Sequence, residues 1–468
     1  MSTPILSRTI LSLAVAGVMA YSDSGQAGGF QVTEVCADCQ GVRNAGMAAS
    51  SIDTPGALFF NPASMSRLQD GEVAGNLHYI NLSFQFKNQG STNAFGNSPP
   101  PLSSFAAPAT TGNYDDGGTN PVVPTFFISQ RVNEQWSTGL GINVPYGLST
   151  DYSKNWVGRY NALETDLKIM NINPAVSYRF NEQFSIGAGF DAMSCDATLT
   201  NALDFGTVAF LGSQGRIGAP STRQYDGLSK LRGDGWGYGW NAGILFELRP
   251  GTRFGIAYRS KINMDLDGDL RIRGNSNFAT APGALRALAA SQKLGSNVKL
   301  NLPATLTLGA YHELTERWSL MVGTTWTDWS DFNELRVNFE HNARPDSVQP
   351  ENWHDTWRTA IGTSYKLNDE WTLRGGFEFD PTPVKSKYRT PRVPDEDRYW
   401  FVVGFGYEPT KTFGIDFAYT YIYIPDYHID DTEVTTSNLT NGVPVGNTVK
   451  GKYEGGTNVF SLQGTWRF

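Results

Sequence analysis

Two cysteines lie three positions apart in the sequence, as Cys36 and Cys39. The spacing C-x-x-C suits a thiol–disulfide redox pair, half of a zinc site or a small structural disulfide. A redox pair needs a βα context, and a zinc site needs a second pair of ligands nearby. The sequence around these cysteines provides neither. The pattern therefore favours a structural disulfide, of the kind found in exported proteins.

Other residues that could do chemistry form no recognisable catalytic pattern. The five histidines lack H-E-x-x-H spacing, and no G-x-S-x-G nucleophile elbow is present. The stretch GDGWGYGWNAG (233–243) is rich in glycine like a phosphate loop, but its strict period of two predicts a strand. The acidic runs DEDR (395–398) and HIDDTE (428–433) indicate a solvated face. We therefore predict no enzyme, no metal site and no cofactor.

Strict alternation of apolar and polar residues recurs along the chain. The C-terminal stretch NVFSLQGTWRF (458–468) alternates aromatic or aliphatic residues with Ser, Gln, Thr and Arg. Similar stretches are RFGIAYRS (253–260), YWFVVGFGYEP (399–409) and TFGIDFAYTYIYI (412–424). Alternation of this kind predicts strands with one apolar and one polar face.

About fourteen such strands are joined alternately by tight polar turns and long loops. Examples are the turns VNEQ (132–135) and RPGT (249–252) and the loop 200–233. An even strand number with connections sorted by length is typical of outer-membrane barrels. We therefore predict an all-β, about fourteen-stranded antiparallel transmembrane β-barrel in the outer membrane of a Gram-negative bacterium. Phe460 and Trp466 should face lipid, and the last strand should pair with the first. Strands are expected near 71–86, 122–131, 135–149, 168–181, 183–199, 234–248, 252–270, 303–314, 317–329, 354–366, 371–380, 399–408, 412–424 and 457–468.

The N-terminus predicts an export signal. Arg8 precedes the apolar run ILSLAVAGVMA (10–20), and SGQA then provides small residues before GGF. The run is too short to span a bilayer as a helix. We expect residues 1–27 to be a signal peptide. The net charge of −8 gives no electrostatic footprint for nucleic acid.

Residues 28–70 do not alternate and are rich in Gly, Ala and Ser. A fourteen-stranded barrel has a lumen wider than its own side chains can fill. The apolar run ALFF (57–60) argues against a disordered tail. We therefore predict that residues 28–70 form a hatch, or plug, inside a barrel of residues 71–468.

Short motifs along the chain match one known family in order. The opening GGFQVTE and the segment FFNPASM (59–65) are similar to the start of the FadL/TodX family of outer-membrane transporters for long-chain fatty acids and other hydrophobic compounds. Asn61, Pro62 and Ala63 match the family's hatch motif. The resemblance extends over essentially the whole mature chain and implies a fourteen-stranded barrel, a hatch and passive uptake. The remaining matches are YGLSTDY (146–152), WVGRY (156–160), WGYGWNAGILFEL (236–248), YRSKI (258–262), LPATLTLG (302–309), TWTDWSDF (325–332), WRTAIGTSYKLNDEWTLRGGFEFD (357–380) and PDEDRYWF (394–401).

The resemblance also implies a lumenal pocket and a lateral gate. Phe30 matches the family residue that lies in the inner pocket and moves in the proposed release step. In the third predicted strand, Pro145 and Gly147 predict either a bulge or an early end of the strand. Family members have an inward kink in this strand, which leaves a gap in the wall. The resemblance therefore implies that Pro145, Tyr146 and Gly147 shape a lateral gate.

The loops 200–233 and 271–302 are expected to form the outer mouth. Apolar residues in exposed loops indicate a binding surface, although the two loops could instead simply pack on each other. A short helix is predicted at 281–295, and family members have their first ligand site in this region. We expect an outer capture groove formed by Phe205, Val208, Phe210, Leu211, Leu285 and Leu288.

A carboxylate ligand needs a cation along its path. The candidates are Arg159, Arg179, Arg259 and Lys261. Fatty-acid members of the family have a basic residue after the fifth strand, where this chain has Asn201. This difference keeps a neutral ligand open.

We expect long-chain fatty acids to be captured at the outer loops and passed to the lumenal pocket. Hatch rearrangement and lateral exit at the third strand then follow. The alternative is uptake of neutral hydrocarbons, toluene-like aromatics or alkanes, by the same route. A water-filled porin would have a charged lumen and no plug, and an outer-membrane lipase would need a nucleophile and a base.

The expected partners follow from the barrel and from its C-terminus. They are the hydrophobic ligand, outer-membrane lipid, lipopolysaccharide and the barrel assembly machinery, which would recognise the terminal Phe468. We expect no nucleic-acid partner. We expect a monomer, because a closed sheet leaves no edge to pair.

Overall fold

Fourteen strands of the described residues form a closed antiparallel barrel. The computed structural model describes residues 28–68, 71–109, 111–216, 218–279, 283–288, 290–342, 344–436, 440 and 442–468. The predicted signal peptide, residues 1–27, lies outside them. In the described ranges, no helix is long and apolar enough to cross a bilayer. The strands are β1 (Glu72–Asn88), β2 (Val122–Arg131), β3 (Trp136–Asp151), β4 (Glu164–Arg179), β5 (Phe184–Asp204), β6 (Asp226–Arg249), β7 (Thr252–Arg259 and Ile262–Gly274), β8 (Gln292–Leu302 and Thr305–Glu313), β9 (Trp318–Thr327 and Glu334–Phe339), β10 (Thr356–Lys366), β11 (Trp371–Asp380), β12 (Arg398–Thr410), β13 (Phe413–Tyr423 and Tyr427–Thr436) and β14 (Val445–Arg467).

The barrel closes because its last strand pairs with its first. β1 pairs with β14 along all 17 of its residues. Gly71 and Phe468 extend the pairing by two backbone hydrogen bonds of 3.1 and 2.8 Å. Closure satisfies the backbone polar groups that lipid cannot satisfy. The alternation predicted for the last strand is confirmed, since Phe460, Leu462 and Trp466 are exposed on the outer face while Ser461, Gln463 and Thr465 are buried.

Several strands extend further towards the long loops than the sequence predicted. β8 begins at Gln292 rather than at 303, and β14 begins at Val445 rather than at 457. Pro303, which has no N–H to donate, interrupts β8 and made the predicted strand start too late. The helix predicted at 281–295 is correspondingly short, because residues from Gln292 onward pair with β7. Among the residues of this range that the structure describes, only Gly283–Leu288 is helical.

Residues 28–68 form the hatch, which packs against the inner face of the barrel. Cys36 and Cys39 form the predicted disulfide at the start of its first helix. Glycines of the wall allow the hatch to approach closely. A Cβ on Gly255 would collide with the carbonyl oxygen of Ala48, and one on Gly187 would collide with the backbone of Pro62 and Ala63. The hatch elements are α1 (Ala37–Gly41), α2 (Ala57–Phe60) and the 3₁₀ segments Met47–Ala49 and Pro62–Arg67.

A buried ion pair fastens the hatch to the wall. Arg43 Nη2 of the hatch lies 2.7 Å from Glu378 Oε1 of β11, and both side chains are almost fully buried. The Arg43 guanidinium also lies 3.6 Å above the ring centroid of Trp400 on β12. A charge buried to this degree is stable only with a partner. The pair therefore fixes the position of the hatch within the lumen.

β3 has a β-bulge in its outer half. Its register with β4 shifts between Asn143 and Tyr146. Its pairing with β2 ends at Ile142, so the part of β3 beyond Ile142 has no hydrogen-bonded partner in β2. A bulge bends a strand and terminates pairing on one side.

The hatch forms backbone hydrogen bonds with the edge of β3 that no longer pairs with β2. Val32 N–H donates to the Pro145 carbonyl at 2.9 Å, and Gly147 N–H donates to the Phe30 carbonyl at 2.8 Å. Part of the wall is therefore completed by the hatch.

Arg43→Met is predicted to destabilise the protein strongly. The substitution leaves the Glu378 carboxylate buried without its cation, which costs about 3–5 kcal/mol. We expect a lower urea midpoint for the refolded protein in detergent. Lys87→Met is the matched control, because Lys87 and Glu454 form an exposed pair of 2.5 Å. Exposed pairs contribute at most about 1 kcal/mol. Equal midpoints for the two variants would contradict the fastening role of Arg43.

Candidate functional site: the lumenal cavity

A cavity of about 250 Å³ lies between the hatch and the long loops. Most of its lining is aliphatic and aromatic, and the side chains come from the inner faces of the outer strand halves. An apolar cavity with a few convergent polar groups is the usual form of a small-molecule site. The apolar lining includes Leu148 of β3, Leu167 of β4, Leu231 of β6, Leu266 of β7, Leu300 of β8 and Val337 of β9.

Phe30 of the hatch forms part of the cavity floor. Its ring packs among the aromatic rings of Tyr146, Trp329, Phe332 and Trp353, at centroid distances between 5.0 and 6.0 Å. The contacts with Trp329 and Phe332 are edge-to-face, an arrangement that favours one ring orientation. The same hatch segment therefore forms both the cavity floor and the bond to the bulged strand.

Arg392 lies at the polar end of the cavity. Its guanidinium donates to the Glu164 carbonyl at 3.4 Å, to Thr165 Oγ1 at 3.4 Å and to the Thr200 carbonyl at 3.2 Å. Within the part of the chain that the structure describes, no carboxylate forms an ion pair with it. Burial lowers the pKa of Arg392, and the negative potential of nearby acids opposes that shift. Arg392 is therefore a cation held by uncharged oxygens at the edge of an apolar cavity.

Three carboxyl groups share this end of the cavity, and none was predicted from the sequence to be a site residue. They belong to Glu351, which precedes β10, and to Asp431 and Glu433 of β13. Burial raises the pKa of Glu351 to about 8, of Glu433 to about 7 and of Asp431 to about 6, and the Arg392 charge opposes each shift. The cluster of three carboxyl groups therefore holds some of its protons near neutral pH.

The acidic runs do not form the solvated faces that the sequence indicated. In the first run, Asp395 and Arg398 form a buried pair, and Asp395 accepts a hydrogen bond from the Gly29 N–H at 3.0 Å. In the second run, Asp431 and Glu433 face the cavity. The interpretation is wrong for the first run because Asp395, in the loop before β12, is buried as the partner of Arg398 and of the hatch backbone. It is wrong for the second run because strand alternation continues in β13 and turns alternate acids inward.

The four predicted cations lie away from the lining of this cavity. Arg159 pairs with Asp226 at 2.7 Å, in the loop after β3. Arg179 lies near the tight turn between β4 and β5, with Asn181 as its acceptor. Arg259 pairs with a buried aspartate of β5 and faces the hatch. Lys261 is exposed beside Asp331, at 3.1 Å.

The hatch motif joins the hatch to the wall. Asn61 Nδ2 donates to the Ala48 carbonyl at 2.6 Å and to the Ile244 carbonyl of β6 at 3.0 Å. Asn61 Oδ1 accepts from the Ala63 N–H at 3.0 Å, and so caps the 3₁₀ segment that Pro62 begins. Asparagine before proline suits such a start, because Pro has no N–H to satisfy.

The residues predicted to form the gate and the capture groove lie in two different places. Pro145, Tyr146 and Gly147 lie at the bulge, and the Tyr146 hydroxyl donates to the Pro303 carbonyl at 3.3 Å. The apolar loop residues occupy α3 (Phe205–Gly212), in which Phe205, Val208, Phe210 and Leu211 are half-buried.

The outer helix packs on more than one loop. The ring of Phe210 lies 5.1 Å from that of Phe105 in the first long loop, and the ring of Phe205 lies 5.7 Å from that of Phe278. The helix α4 (Gly283–Leu288) lies beside α3. The side chains of Leu285 and Leu288 lie outside the described part of the structure.

Glu351→Gln is predicted to flatten the pH dependence of stability. The ordinary pKa of this carboxyl is 4.5, and in the folded protein it is about 8. The folded state therefore binds more protons between these values, so stability falls as the pH rises through this range. Urea midpoints between about pH 5 and 9 should decline less in the variant. Asp430→Asn is the control, since Asp430 is exposed and paired with Lys450. Parallel curves for E351Q and wild type would contradict the prediction.

Comparisons with known proteins agree with the geometry. The long-chain fatty acid transport protein of Salmonella typhi is 30% identical over 429 residues, which cover 90% of this chain and 92% of that protein. A solved FadL homologue of Pseudomonas aeruginosa superimposes with a TM-score of 0.80 at 25% identity, over 94% of this chain and all of that one. The toluene transporter TodX of Pseudomonas putida shares the fold, with a TM-score of 0.62 at 20% identity, over 88% of this chain and 94% of that one.

The family model described as "Outer membrane protein transport protein (OMPP1/FadL/TodX)" matches residues 18–468. This confirms the recognised family and the outer-membrane location, and the prediction that the chain is not an enzyme is confirmed because the family consists of transport channels. The chain therefore belongs to the OMPP1/FadL/TodX family of outer-membrane transport proteins for hydrophobic compounds.

Proposed function

We propose that this protein takes up long-chain fatty acids across the outer membrane down their concentration gradient. The ligand enters at the outer loops and lies in the lumenal cavity, with its chain along the apolar lining and its carboxylate at Arg392. It leaves sideways through the wall at the bulge of β3. The names of the curated relatives, long-chain fatty acid transport proteins, support this ligand class.

Arg392 is the observation that supports a carboxylate ligand. A guanidinium presents paired donors that match a carboxylate, and the bond is strongest where water is excluded. The present acceptors of Arg392 are uncharged oxygens at 3.2 to 3.4 Å, which are weak partners for a cation. A carboxylate in the cavity would replace them with shorter, charge-assisted bonds.

The second candidate ligand is a neutral hydrocarbon. Asn201 lines the cavity with an uncharged amide, and its Nδ2 already donates to the Tyr160 and Ala202 carbonyls at 3.1 Å. The three carboxyls near Arg392 also reduce the positive potential there. Both features suit a ligand without a charge, for which the apolar lining alone supplies affinity.

Exit into the bilayer follows from the bulge of β3. The released edge is bonded to the hatch near Phe30 and Val32 rather than to β2. Displacement of this hatch segment would open the cavity floor and the wall together. An apolar ligand that leaves through the wall stays out of the aqueous periplasm, which agrees with the hydrophobic effect.

The outer cluster of loop residues supplies the capture step. Phe105 is about half exposed, and it packs with Phe95 and Phe210 at ring distances of 5.7 and 5.1 Å. Exposed apolar clusters of this kind are common at ligand entrances. A fatty acid bound there would be concentrated at the mouth before it enters the cavity.

Arg392→Gln is predicted to weaken oleate binding by about 10- to 100-fold, the equivalent of a lost hydrogen bond to a charged group. Toluene affinity should not change, because a hydrocarbon makes no bond to the guanidinium. Lys261→Gln is the control, since Lys261 is exposed on the outer surface. Direct binding to the purified protein in detergent measures all three. Tight toluene binding without oleate binding by the wild type would favour the hydrocarbon alternative.

Deletion of Pro145 is predicted to abolish uptake and to preserve binding. Between Asn143 and Tyr146, β3 has one residue more than the facing part of β4, from Asn171 to Ile169. Deleting one residue restores the register and lets β3 pair with β2 further along the wall. Pro145→Ala keeps the residue count and serves as the control. Cells that produce the deletion variant should not accumulate labelled oleate, although the purified variant binds it. Normal uptake by these cells would exclude exit at β3.

A further inference from the structure

The polar end of the cavity has more carboxyl groups than cations. Asp431, Glu433 and Glu351 border the space next to Arg392. The other arginine of the lining, Arg344, is exposed and lies over the Phe339 ring at 5.0 Å. Asp166 of β4, which also lines the cavity, forms an ion pair with Lys168. When ionised, the other three acids would exceed the half-buried Arg392 by two charges. A site with this balance opposes a carboxylate ligand unless the acids lose charge.

The acids do not neutralise Arg392 through direct contact. Asp431 Oδ2 accepts from Asn161 Nδ2 at 2.9 Å, and Glu351 Oε2 accepts from Trp353 Nε1 at 2.9 Å. Among the described residues, Glu433 has no side-chain hydrogen bond. The carboxyls and the guanidinium therefore surround the cavity without closing it, and a ligand head group there would face all of them.

An incoming carboxylate changes the protonation of its neighbours. A nearby like charge disfavours ionisation of a carboxyl group, and burial has the same effect. The pKa values of Glu351, Glu433 and Asp431 are already raised by burial to about 8, 7 and 6. At pH 7 these values leave Glu351 mostly neutral, Glu433 about half protonated and Asp431 mostly ionised, so a further negative charge shifts Glu433 and Asp431 towards the neutral form. A neutral ligand brings no such charge.

We propose that the cavity binds a fatty-acid carboxylate together with a proton, which passes from solvent to the carboxylate of Glu351, Glu433 or Asp431. The bound unit is then a carboxylate held by Arg392 next to a neutral carboxylic acid that can donate a hydrogen bond to it. This inference rests on the proposed fatty-acid function and assigns the three acids a role in ligand choice. The charged groups that face the polar end are Arg392 after β11, Asp431 and Glu433 of β13, Glu351 before β10, Arg344 after β9 and Asp166 of β4, and Asp430 lies on the outer face of β13.

Calorimetry in two buffers tests the proposal on the wild-type protein. The full chain in detergent is titrated with oleate at about pH 7, in phosphate and in Tris, which differ in their enthalpy of ionisation. Proton uptake makes the observed heat depend on the buffer, and we expect up to about one proton for each bound oleate. Affinity should fall by up to about tenfold per pH unit as the pH rises above neutrality. Oleyl alcohol, which has no charge, should bind without buffer dependence.

Two variants locate the proton. Glu351→Gln combined with Glu433→Gln should bind oleate at least as well as the wild type at high pH, with less proton uptake. Asp430→Asn is the matched control and should behave like the wild type. Asp430 lies on the outer face of β13, the strand that carries Glu433 on its inner face.

The possible outcomes separate this inference from the proposed function. Oleate binding with no buffer dependence would overturn the proton uptake and leave fatty-acid transport intact. If oleate binding still takes up a proton after all three acids are replaced by amides, the proton lies on the ligand, and this result would also overturn the proposal. If the wild type does not bind oleate, both the fatty-acid function and the inference fail, and the hydrocarbon alternative remains.

Discussion

Backbone hydrogen bonding in lipid is the constraint on which the rest of the structure depends. A spanning sheet has no water to satisfy its edges, so it must close, and β14 pairs with β1 along the whole length of β1. β3 departs from continuous pairing, because it loses its β2 partner after Ile142. There the hatch supplies backbone groups in place of a strand. The wall is therefore complete only while the hatch segment around Phe30 and Val32 stays in place.

Closure also determines what can occupy the lumen. Outward positions are apolar, so the inner face must supply every contact to the hatch. Glycines at Gly187, Gly255 and Gly376 leave room for hatch backbone that any side chain would displace. The ion pair of Arg43 and Glu378 then fixes the hatch to the wall. Small residues and buried ion pairs therefore help to position the hatch in this lumen, as the close packing of large apolar side chains positions the elements of a soluble core.

The barrel could be predicted from the sequence because its determinants are local. A period of two identifies a strand from its own residues, and the sorted connections identify the architecture without any long-range contact. The outer strand extensions were missed, since Pro303 and the glycines of β14 interrupt the pattern where pairing continues. The polar end of the cavity could not be found in this way. Arg392, Glu351 and Glu433 come from three distant segments, and only closure of the barrel brings them together.

One signal for that site was present in the sequence. Tyr427 and Ile429 are buried on the inner face of β13, so the same period places Asp431 and Glu433 on that face too. Their charge predicts that these two side chains face solvent, whereas the strand period places them on the inner face. The conflict between a residue's charge and its register is informative, because a carboxyl that the fold turns inward must find a cation, a proton or a polar ligand. In this cavity one arginine is shared by three acids, so the ligand's own charge decides how many protons the site holds.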